Sequence, residues 1–434
     1  MTEDWASRRP IERRLADAGL PALPRTAWLE LDLDALAANL ELVRRLAGPG
    51  ILVQPVVKAD AYGHGMIPIA RALAEAGADA LCVAAFDEAV ALRDAGIASR
   101  LIVLYPIPPD RAVEAARLEI AVAVGDPGLL DELMARVAVA SGALPDLELE
   151  LEVETGLGRG GLLPDRVALA ATRIADATGV RLAGLWTHLQ ASETPDRTAR
   201  QIERFEMAAA NLAAAGLPIP RRHLAASGGL LLPGIPVYDA VRPGLMTYGL
   251  PPDEIEPANL PPAAAGLRPV MSLHARPVRV ADLPAGHGIS YGPTFTTGRP
   301  SRIATLPLGY GDGWSRAFSN RAAALVRGRR VPIVGNVAMD AVMVDVTDVP
   351  GPPVDVHDEF VLLGEQGSER ITAAELAQVR TTNSWEVVTS MSRRLPRVYD
   401  AAAGPVGIRT LIATEDRWLG SNSGTATSAS SRST

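Results

Sequence analysis

Lysine is almost absent from this 434-residue chain. Lysine and arginine together number 42, and Lys58 is the one lysine among them. An arginine guanidinium stays protonated, whereas a buried lysine readily loses its proton, so arginine cannot replace lysine where a neutral, nucleophilic amine is needed. The lysine is therefore a candidate for amine chemistry such as Schiff-base formation. The alternative is that composition bias left one lysine on a solvated surface by chance.

Cysteine, basic charge and long apolar runs are also scarce, and each scarcity excludes a class of protein. The single Cys82 cannot form an internal disulfide, and its apolar neighbours predict a small core residue. A net charge of −8 argues against a nucleic-acid partner. No apolar stretch reaches the roughly 20 residues that cross a bilayer, and residues 1–10 lack the apolar centre of a signal peptide. These features predict a cytoplasmic protein without a membrane partner.

A strand–helix alternation repeats between residues 51 and 250. Each apolar strand candidate is followed by an alanine-rich segment with helical spacing. Eight such units in roughly 200–250 residues predict an α/β fold with a closed (β/α)8 TIM-type barrel, and an open doubly wound sheet is the alternative. The strand candidates are 51–57, 80–84, 101–104, 120–124, 147–153, 181–187, 222–226 and 239–242.

The pattern differs on either side of this barrel, which we assign to residues 35–262. Residues 1–24 read as an N-terminal extension with one short amphipathic helix, and 25–34 hold an alternating strand. Short alternating runs separated by Gly and Pro predict a mostly β C-terminal domain over 263–413. Residues 414–434 are rich in Ser and Thr and predict a disordered tail.

Lys58 closes the first barrel strand candidate. A β-branched run precedes it and the glycine-bearing segment 59–65 follows, which indicates a buried parallel strand entering a loop. The carboxyl ends of the strands are where α/β folds carry their chemistry. Glycine-bearing loops at Ser227-Gly-Gly229 and Arg242-Pro-Gly244 follow the last two strands and predict a phosphate cradle built from backbone N–H groups. An amine beside a phosphate site suggests pyridoxal 5'-phosphate (PLP).

Other motifs carry weaker signals. Gly156-Leu-Gly-Arg159-Gly-Gly161 matches a dinucleotide fingerprint, but it follows the fifth strand rather than the first. We favour a bent loop whose Arg159 faces an anion, and a structural turn with a solvated arginine is the alternative. The six histidines lack metal-binding spacing, so no metal site is predicted. His188, at the end of the sixth strand, is predicted to be a hydrogen-bond partner behind the site.

These segments resemble, in order, the alanine racemase family. The lysine lies in Val56-Val-Lys58-Ala-Asp-Ala-Tyr62-Gly-His-Gly65, which looks like the family's PLP-lysine signature. The resemblance extends from about Trp28 to Tyr399. Its further matching segments are 154–159, 186–188, 225–227, 241–244, 290–292, 306–313, 334–340 and 394–399.

The resemblance implies an isomerase: a PLP-dependent two-base racemase that interconverts L-alanine and D-alanine and supplies D-alanine for peptidoglycan. It also implies a homodimer whose active site is shared between chains, and a strand at 25–34 that packs on the β domain. Lys58 would hold PLP and take the α-proton of the D-isomer. Tyr291 of the partner subunit would take that of the L-isomer, because a planar carbanion has to be reprotonated from its opposite face.

The resemblance also assigns the surrounding residues. Arg242 would face the pyridine nitrogen and keep the ring uncharged, and His188 would orient this arginine. The cofactor phosphate would be held by Tyr62, Ser227, Gly244 and Leu245. Substrate contacts would come from Arg159, Tyr310, Met339 and Asp340, with the Met339 N–H supplied by the partner subunit.

Three sites depart from the family pattern. Glu152 stands where many members carry a carbamylated lysine, and we hypothesise that its carboxylate replaces the carbamate as the anion that orients Arg159. Trp385 replaces a phosphate-binding tyrosine, and its indole can donate only one hydrogen bond. Asn336 and Ala338 replace an arginine and a cysteine near the entrance. A racemase of serine or another amino acid therefore stays open, as do a barrel decarboxylase and a non-catalytic PLP carrier.

Overall fold

The N-terminal segment joins the C-terminal sheet. The structure is a computed structural model and describes residues 8–140, 144–412 and 417–418. Its first elements are helix α1, Ile11–Asp17, and strand β1, Ala27–Asp32. α1 packs on Trp28 of β1 and on later strands of the same sheet. Within the described residues, the chain thus passes through the C-terminal sheet before it enters the barrel.

Eight parallel strands form the barrel and pair in chain order. They are β2 Leu52–Val53, β3 Leu81–Val83, β4 Leu101–Val103, β5 Ile120–Val124, β6 Leu147–Glu152, β7 Val180–Trp186, β8 Arg221–Ala226 and β9 Ala240–Arg242. β2 pairs with β9, and a parallel bridge between Val56 and Cys82 closes the ring. The predicted (β/α)8 barrel is confirmed in every strand, and the open-sheet alternative is wrong.

Helices alternate with the barrel strands. They are α2 Leu33–Ala47, α3 Lys58–Tyr62, α4 Met66–Glu75, α5 Phe86–Asp94, α6 Ala112–Arg117, α7 Pro127–Ala138, α8 Val167–Asp176, α9 Pro195–Ala214 and α10 Ser227–Leu231. Local sequence sets their ends: the Asp32 carboxylate accepts from the Ala35 N–H at 2.7 Å and caps α2, and Gly48 ends that helix at φ 92°. Asp126 caps α7 in the same way, with Pro127 in its first turn.

The C-terminal part is mostly β, as predicted. Its strands are β10 Met271–Ala275, β11 Arg279–Leu283, β12 Ser301–Leu306, β13 Ala323–Val326, β14 Arg329–Pro332, β15 Val342–Asp345, β16 Phe360–Gln366, β17 Glu369–Ile371, β18 Arg397–Ala401, β19 Gly404–Arg409 and β20 Arg417–Trp418. One sheet runs β14-β13-β16-β10-β1-β18-β19-β20 with β17 on β16, and a second runs β11-β12-β15. Two helices, α11 Ala373–Arg380 and α12 Ser384–Thr389, complete it. The boundary between 35–262 and 263–413 stays a prediction.

The N-terminal extension is anchored by a buried carboxylate. Glu30, only 5% exposed, accepts from the Trp28 indole N–H at 2.9 Å and from Arg14 at 3.1 Å, and it also pairs with Arg8. Arg14 reaches Asp400 of β18 at 2.8 Å as well. These charge-assisted contacts fix α1 on the sheet and place residues 8–24 in the fold.

The end of the chain corrects one prediction. Residues 414–434, predicted to be a disordered tail, lie outside the described residues except for 417–418. Those two form β20 and pair antiparallel with β19, so the prediction is wrong for them. Among the helices that the structure describes, none has the length and apolarity that crossing a membrane requires.

The sheet and the barrel meet beside Lys58. Arg397 of β18, 1% exposed, donates from Nε to the Gly63 carbonyl at 2.9 Å. Two residues on, the Tyr399 hydroxyl donates to the His64 carbonyl at 3.1 Å. Both acceptors belong to the loop that follows α3. The C-terminal sheet therefore supports the backbone that carries the lysine.

Candidate active site

Lys58 begins a left-handed turn at the carboxyl end of the first barrel strand. Residues Ala59 to Tyr62 all have positive φ, between 52° and 57°, and Gly63 continues at φ 81°. Left-handed helical backbone costs L-residues about 1–2 kcal/mol each, so such a turn persists only where its surroundings stabilise it. Helix α12 packs against this turn at Gly63. A larger residue would not fit there, because a Cβ at Gly63 would collide with the Val388 carbonyl.

Two carboxylates hold this turn. Asp60 accepts from the Met66 N–H at 2.9 Å, and Arg409 of β19 donates to both its oxygens at 2.9 Å. Glu88, at the start of α5, accepts from the Ala59 N–H at 2.6 Å. The strained backbone is thereby fixed from the barrel and from the C-terminal sheet together.

The Lys58 amine lies in an environment that disfavours its charge. Burial lowers the pKa of Lys58, and the nearby positive charge of Arg159 lowers it further, against the opposing charge of Glu88. A larger fraction of the amine is therefore neutral than for a solvated lysine. This is the property that a nucleophile or a proton acceptor needs at neutral pH.

The predicted phosphate cradle is present at the ends of β8 and β9. Ser227 Oγ accepts from the Gly244 N–H at 3.0 Å and from the Met246 N–H at 3.3 Å. A Cβ at Gly244 would lie 2.7 Å from the Tyr62 hydroxyl, so only glycine leaves this space open. Leu245 is buried beside it. The hydroxyls of Tyr62 and Ser227 and the backbone N–H groups of Gly244 and Met246 thus lie together, and Tyr62 belongs to the turn that Lys58 begins. This set fits the phosphate of PLP.

Arg242 is buried, and both its terminal nitrogens donate to protein acceptors. Its Nη1 donates to His223 Nδ1 at 2.5 Å and its Nη2 to the Thr187 carbonyl at 2.7 Å. Its guanidinium also lies 4.8 Å from the ring centroid of Trp186. Burial lowers the pKa of Arg242 to about 10, which still leaves it charged at neutral pH.

His223 connects Arg242 to Glu150 and Arg100 through a series of hydrogen bonds. Burial, then the charge of Arg242, lower the pKa of His223 to about 4, so the ring is neutral. Its Nε2 donates to Glu150 at 2.9 Å, and Arg100 donates to the same carboxylate at 2.6 Å. Burial alone would raise the pKa of Glu150, but these two partners lower it to about 2. Neither His223 nor Glu150 was predicted as a site residue.

His188 does not orient Arg242, and that prediction is wrong. Among the described residues the side chain of His188 has no hydrogen bond to Arg242, and the imidazole that bonds this arginine is His223. Burial, then the positive charges of Arg242, Arg159 and Lys58, lower the pKa of His188 to about 3. His188 is thus a neutral imidazole among three cations. Its carbonyl accepts from Gln201 at 3.1 Å, which fixes the end of β7.

Arg159 extends over the barrel mouth and is held from two sides. Its Nη2 donates to Glu152 Oε1 at 3.4 Å, and its guanidinium lies 5.2 Å from the ring centroid of Tyr105. Burial raises the pKa of Glu152, while the charge of Arg159 opposes that rise. The hypothesis that Glu152 orients Arg159 is consistent with this ion pair. Tyr105 was missed, although an aromatic directly after the third barrel strand was a usable signal.

Tyr291 lies on the C-terminal domain and points into solvent. Its side chain is 79% exposed, and no hydrogen bond, ion pair or ring contact of the described residues joins it to Lys58. Asn336 Nδ2 donates to the Tyr291 carbonyl at 2.9 Å and to the Gly292 carbonyl at 3.1 Å. The structure therefore presents the phenol outward on an anchored loop.

The other residues predicted to contact the substrate, Tyr310, Met339 and Asp340, are also exposed. Tyr310 is 44% and Met339 52% exposed. The Tyr310 N–H donates to the Ala338 carbonyl at 3.0 Å, and Asp340 pairs with Arg394 at 2.5 Å. These contacts bring Tyr310, Met339 and Asp340 together on the C-terminal domain, while Lys58, Arg159 and the cradle lie on the barrel.

Trp385 lies on α12, the helix that packs on the Lys58 turn. Its side chain is half-buried against the hydrophobic core. Asn383 caps the helix by accepting from the Glu386 N–H at 3.0 Å, and Asp253 accepts from the Ser384 hydroxyl at 2.7 Å. The structure places Trp385 beside the loop of the lysine but gives its indole no hydrogen bond within the described residues.

Comparisons with known proteins agree along nearly the whole chain. Residues 31–252 match the family model "Alanine racemase, N-terminal domain", and 270–399 match "Alanine racemase, C-terminal domain". The chain is 44% identical over 377 residues to the alanine racemase of Symbiobacterium thermophilum, covering 86% of this chain and 97% of that protein.

Solved structures give the same result. The chain is similar to an alanine racemase from Bacillus anthracis with bound L-Ala-P, with a TM-score of 0.82, 33% identity and 90% and 99% of the two chains covered. It is also similar to the alanine racemase of Streptomyces coelicolor A3(2), with a TM-score of 0.79, 37% identity and 88% and 99% covered.

Proposed function

The chain belongs to the alanine racemase family, and from this premise we propose that it interconverts L-alanine and D-alanine and so supplies D-alanine for peptidoglycan. The family is PLP-dependent. When bound, PLP supplies an electron sink for the negative charge that develops at the substrate Cα. One observation carries the proposal: the only lysine, with a lowered pKa, stands beside the cradle of Tyr62, Ser227 and Gly244.

Lys58 has two tasks in this proposal. Its amine binds the cofactor covalently, and it exchanges a proton with the Cα of the D-isomer. Both tasks need a neutral amine for part of the cycle, and burial together with Arg159 provides it. Arg159 binds the substrate carboxylate, because its guanidinium is anchored on one edge by Glu152 and stays open on the other.

Arg242 keeps the cofactor ring uncharged in this proposal. A protonated guanidinium with a pKa of about 10 is a poor proton donor, and its acceptor His223 is neutral. Arg242 would therefore donate a hydrogen bond to a ring nitrogen that faces it but would not protonate it. An arginine in this position would in that way limit side reactions.

Tyr291 requires a second copy of the chain. A racemase needs a base on each face of the substrate. Tyr291 is 79% exposed and lies on the C-terminal domain together with the exposed Met339 and Tyr310. We therefore propose a homodimer in which Tyr291 of the partner subunit serves the face opposite Lys58. We also propose that this dimer is cytoplasmic. Light scattering gives the mass of the particle, and cell fractionation gives its location.

One experiment tests the core of the proposal. The purified protein is incubated with PLP, reduced with borohydride and digested, and the peptide that carries Lys58 is weighed. We expect the cofactor's mass on Lys58, and D-alanine formation from L-alanine measured by chiral chromatography. Lys58→Arg keeps the charge and should lose both results. A protein that takes up no PLP would refute the proposal.

A substrate panel separates the alternatives. L-alanine, L-serine and L-lysine are assayed in parallel for inversion and for release of CO2. Asn336 and Ala338, which depart from the family pattern near the entrance, are the reason to include substrates larger than alanine. Inversion of L-alanine at the highest kcat/KM supports the proposal. CO2 release from L-lysine would identify a decarboxylase, and PLP binding without turnover would identify a carrier.

A further inference from the structure

Asn336 links the loop that carries Tyr291 to the loop that carries Met339. Its Nδ2 donates to the Tyr291 carbonyl at 2.9 Å and to the Gly292 carbonyl at 3.1 Å. In the opposite direction, Ser290 Oγ donates to the Asn336 carbonyl at 2.6 Å. Three hydrogen bonds thus connect Asn336 with three consecutive residues, and the middle one is Tyr291.

The backbone on either side of Tyr291 needs such support. Ser290 has φ 67° and Gly292 has φ 51°, so the tyrosine is flanked by two residues in the left-handed region. That region is unfavourable for serine by roughly 1 kcal/mol, and its population depends on contacts that hold it. Both flanking residues are bonded to Asn336: Ser290 donates to its carbonyl, and the Gly292 carbonyl accepts from its side-chain amide. The Asn336 amide thus holds the backbone at Tyr291 and Gly292.

Asn336 is itself rigidly placed. The preceding Gly335 donates its N–H to Asn320 at 2.6 Å, and a Cβ there would lie 2.6 Å from the Ile289 carbonyl, so the two loops touch through backbone. The following Val337 is 1% exposed, and its N–H donates to the Ser319 hydroxyl at 2.9 Å. The donor that holds Tyr291 is thus fixed on both sides.

We propose that Asn336 is a positioning residue that sets the reach of the Tyr291 phenol toward the substrate in the other subunit. The inference rests on the proposed role of Tyr291 as the base for the L-isomer. A general base has to come within hydrogen-bond reach of its proton, and a displacement of 1 Å costs about 100-fold in rate. Loss of the Asn336 amide frees the carbonyls of Tyr291 and Gly292. It should impair the face served by Tyr291 and leave the face served by Lys58 intact.

The test separates the two faces. D-alanine deuterated at Cα is incubated with the PLP-loaded enzyme in ordinary water. Lys58 removes the deuteron, which exchanges from Nζ to water, and a proton returns to the same face of Cα, so deuterium is lost without inversion. Formation of L-alanine requires a proton from Tyr291. The ratio of inversion to deuterium loss therefore reports on Tyr291 alone.

We expect Asn336→Ala to lower this ratio by about 10- to 100-fold, with deuterium loss within about threefold of the parent protein. Asn336→Asp keeps the size, cannot donate, and should lower it similarly. Asn211→Ala is the matched control, since that amide donates to the Pro164 carbonyl at 3.0 Å on the barrel. Without substrate, amide hydrogen exchange in a peptide covering 288–296 should be faster in both Asn336 variants.

The outcomes are distinct. A parental ratio in both Asn336 variants, or an equal loss of both reactions, would overturn the inference. Tyr291→Phe should abolish inversion and keep deuterium loss, and if it does not, the inference falls with the role of Tyr291. If the parent protein performs neither reaction, it is the proposed function that fails. The hydrogen-exchange measurement then still decides whether Asn336 holds the loop.

Discussion

Arg242 Nη1 and His223 Nδ1 are 2.5 Å apart in the barrel interior, and the imidazole accepts this hydrogen bond as a neutral ring. Its other nitrogen donates to Glu150, 2.9 Å away. A neutral histidine between a cation and an anion keeps both charges in place without neutralising either. The orientation of Arg242 therefore depends in part on the His223 imidazole, together with the Thr187 carbonyl.

Replacing this imidazole tests the dependence. His223→Leu removes the acceptor of Arg242 and the donor to Glu150, so we expect the free energy of unfolding to fall by about 2–4 kcal/mol, because buried charged groups lose partners. Urea unfolding measures the change, and racemase assays should show a lower kcat. His357→Leu, at an exposed position, is the control. Equal stability of the two variants would show that the bond contributes nothing.

Sequence alone predicted the barrel and the lysine for simple reasons. Eight apolar runs at regular spacing mark strands buried on both faces, and one lysine among 41 arginines marks a chemical requirement. The histidine that bonds Arg242 was misassigned to His188, because this contact depends on which strands are neighbours in the barrel. β8 lies next to β9, so His223 reaches Arg242, while His188 lies beyond the end of β7.

The contact between Tyr291 and Asn336 could not be predicted from sequence for a different reason. Tyr291 is brought beside Asn336 by a contact between two loops 45 residues apart, which no local pattern encodes. The same holds for β1, whose alternating pattern predicts a strand but not its position between β10 and β18. The family resemblance predicted that this strand packs on the β domain, but neither its neighbours in the sheet nor the contact between Asn336 and Tyr291 was predicted.

Glu152→Gln tests whether this carboxylate orients Arg159. The variant keeps the shape but loses the charge-assisted character of the 3.4 Å contact, which is worth about 1–2 kcal/mol. We expect KM for alanine to rise about 5- to 30-fold, and the inhibition constant of propionate, a plain carboxylate, to rise in parallel. Glu114→Gln, which breaks an exposed pair with Arg111, is the control. Unchanged KM and inhibition constants would refute the hypothesis.

Tyr105 should support Arg159 through its ring rather than its hydroxyl. The guanidinium lies 5.2 Å from the ring centroid, and a half-exposed contact of this kind contributes about 0.5–1 kcal/mol. Tyr105→Phe should therefore leave KM for alanine unchanged, and Tyr105→Ala should raise it by about two- to fivefold. Steady-state kinetics at saturating PLP measure both variants. Equal KM values in the two variants would exclude a role for the ring.

Three histidines whose pKa is lowered should make the fold sensitive to mild acid. Burial, as the main cause in each case, lowers the pKa of His64 to about 4, of His188 to about 3 and of His223 to about 4. In the unfolded chain a histidine binds its proton near pH 6.5. Between pH 6.5 and 4 the unfolded state therefore holds protons that the native state does not, and stability falls as the pH falls.

The opposing groups are three carboxyls whose pKa is raised mainly by burial, Asp400, Glu152 and Glu254, so their protonation favours the native state. The pKa values of the three histidines are displaced further than these, and each histidine contributes on the order of 1 kcal/mol per pH unit. We expect the free energy of unfolding, from urea titrations, to decrease steadily from pH 7 to pH 4. His188→Gln should make this slope shallower by one proton, and His357→Gln is the control. His188 is chosen because its side chain has no hydrogen bond within the described residues that the substitution would break. A stability that is flat between pH 6.5 and 4 would mean that these imidazoles are not excluded from water as the structure places them.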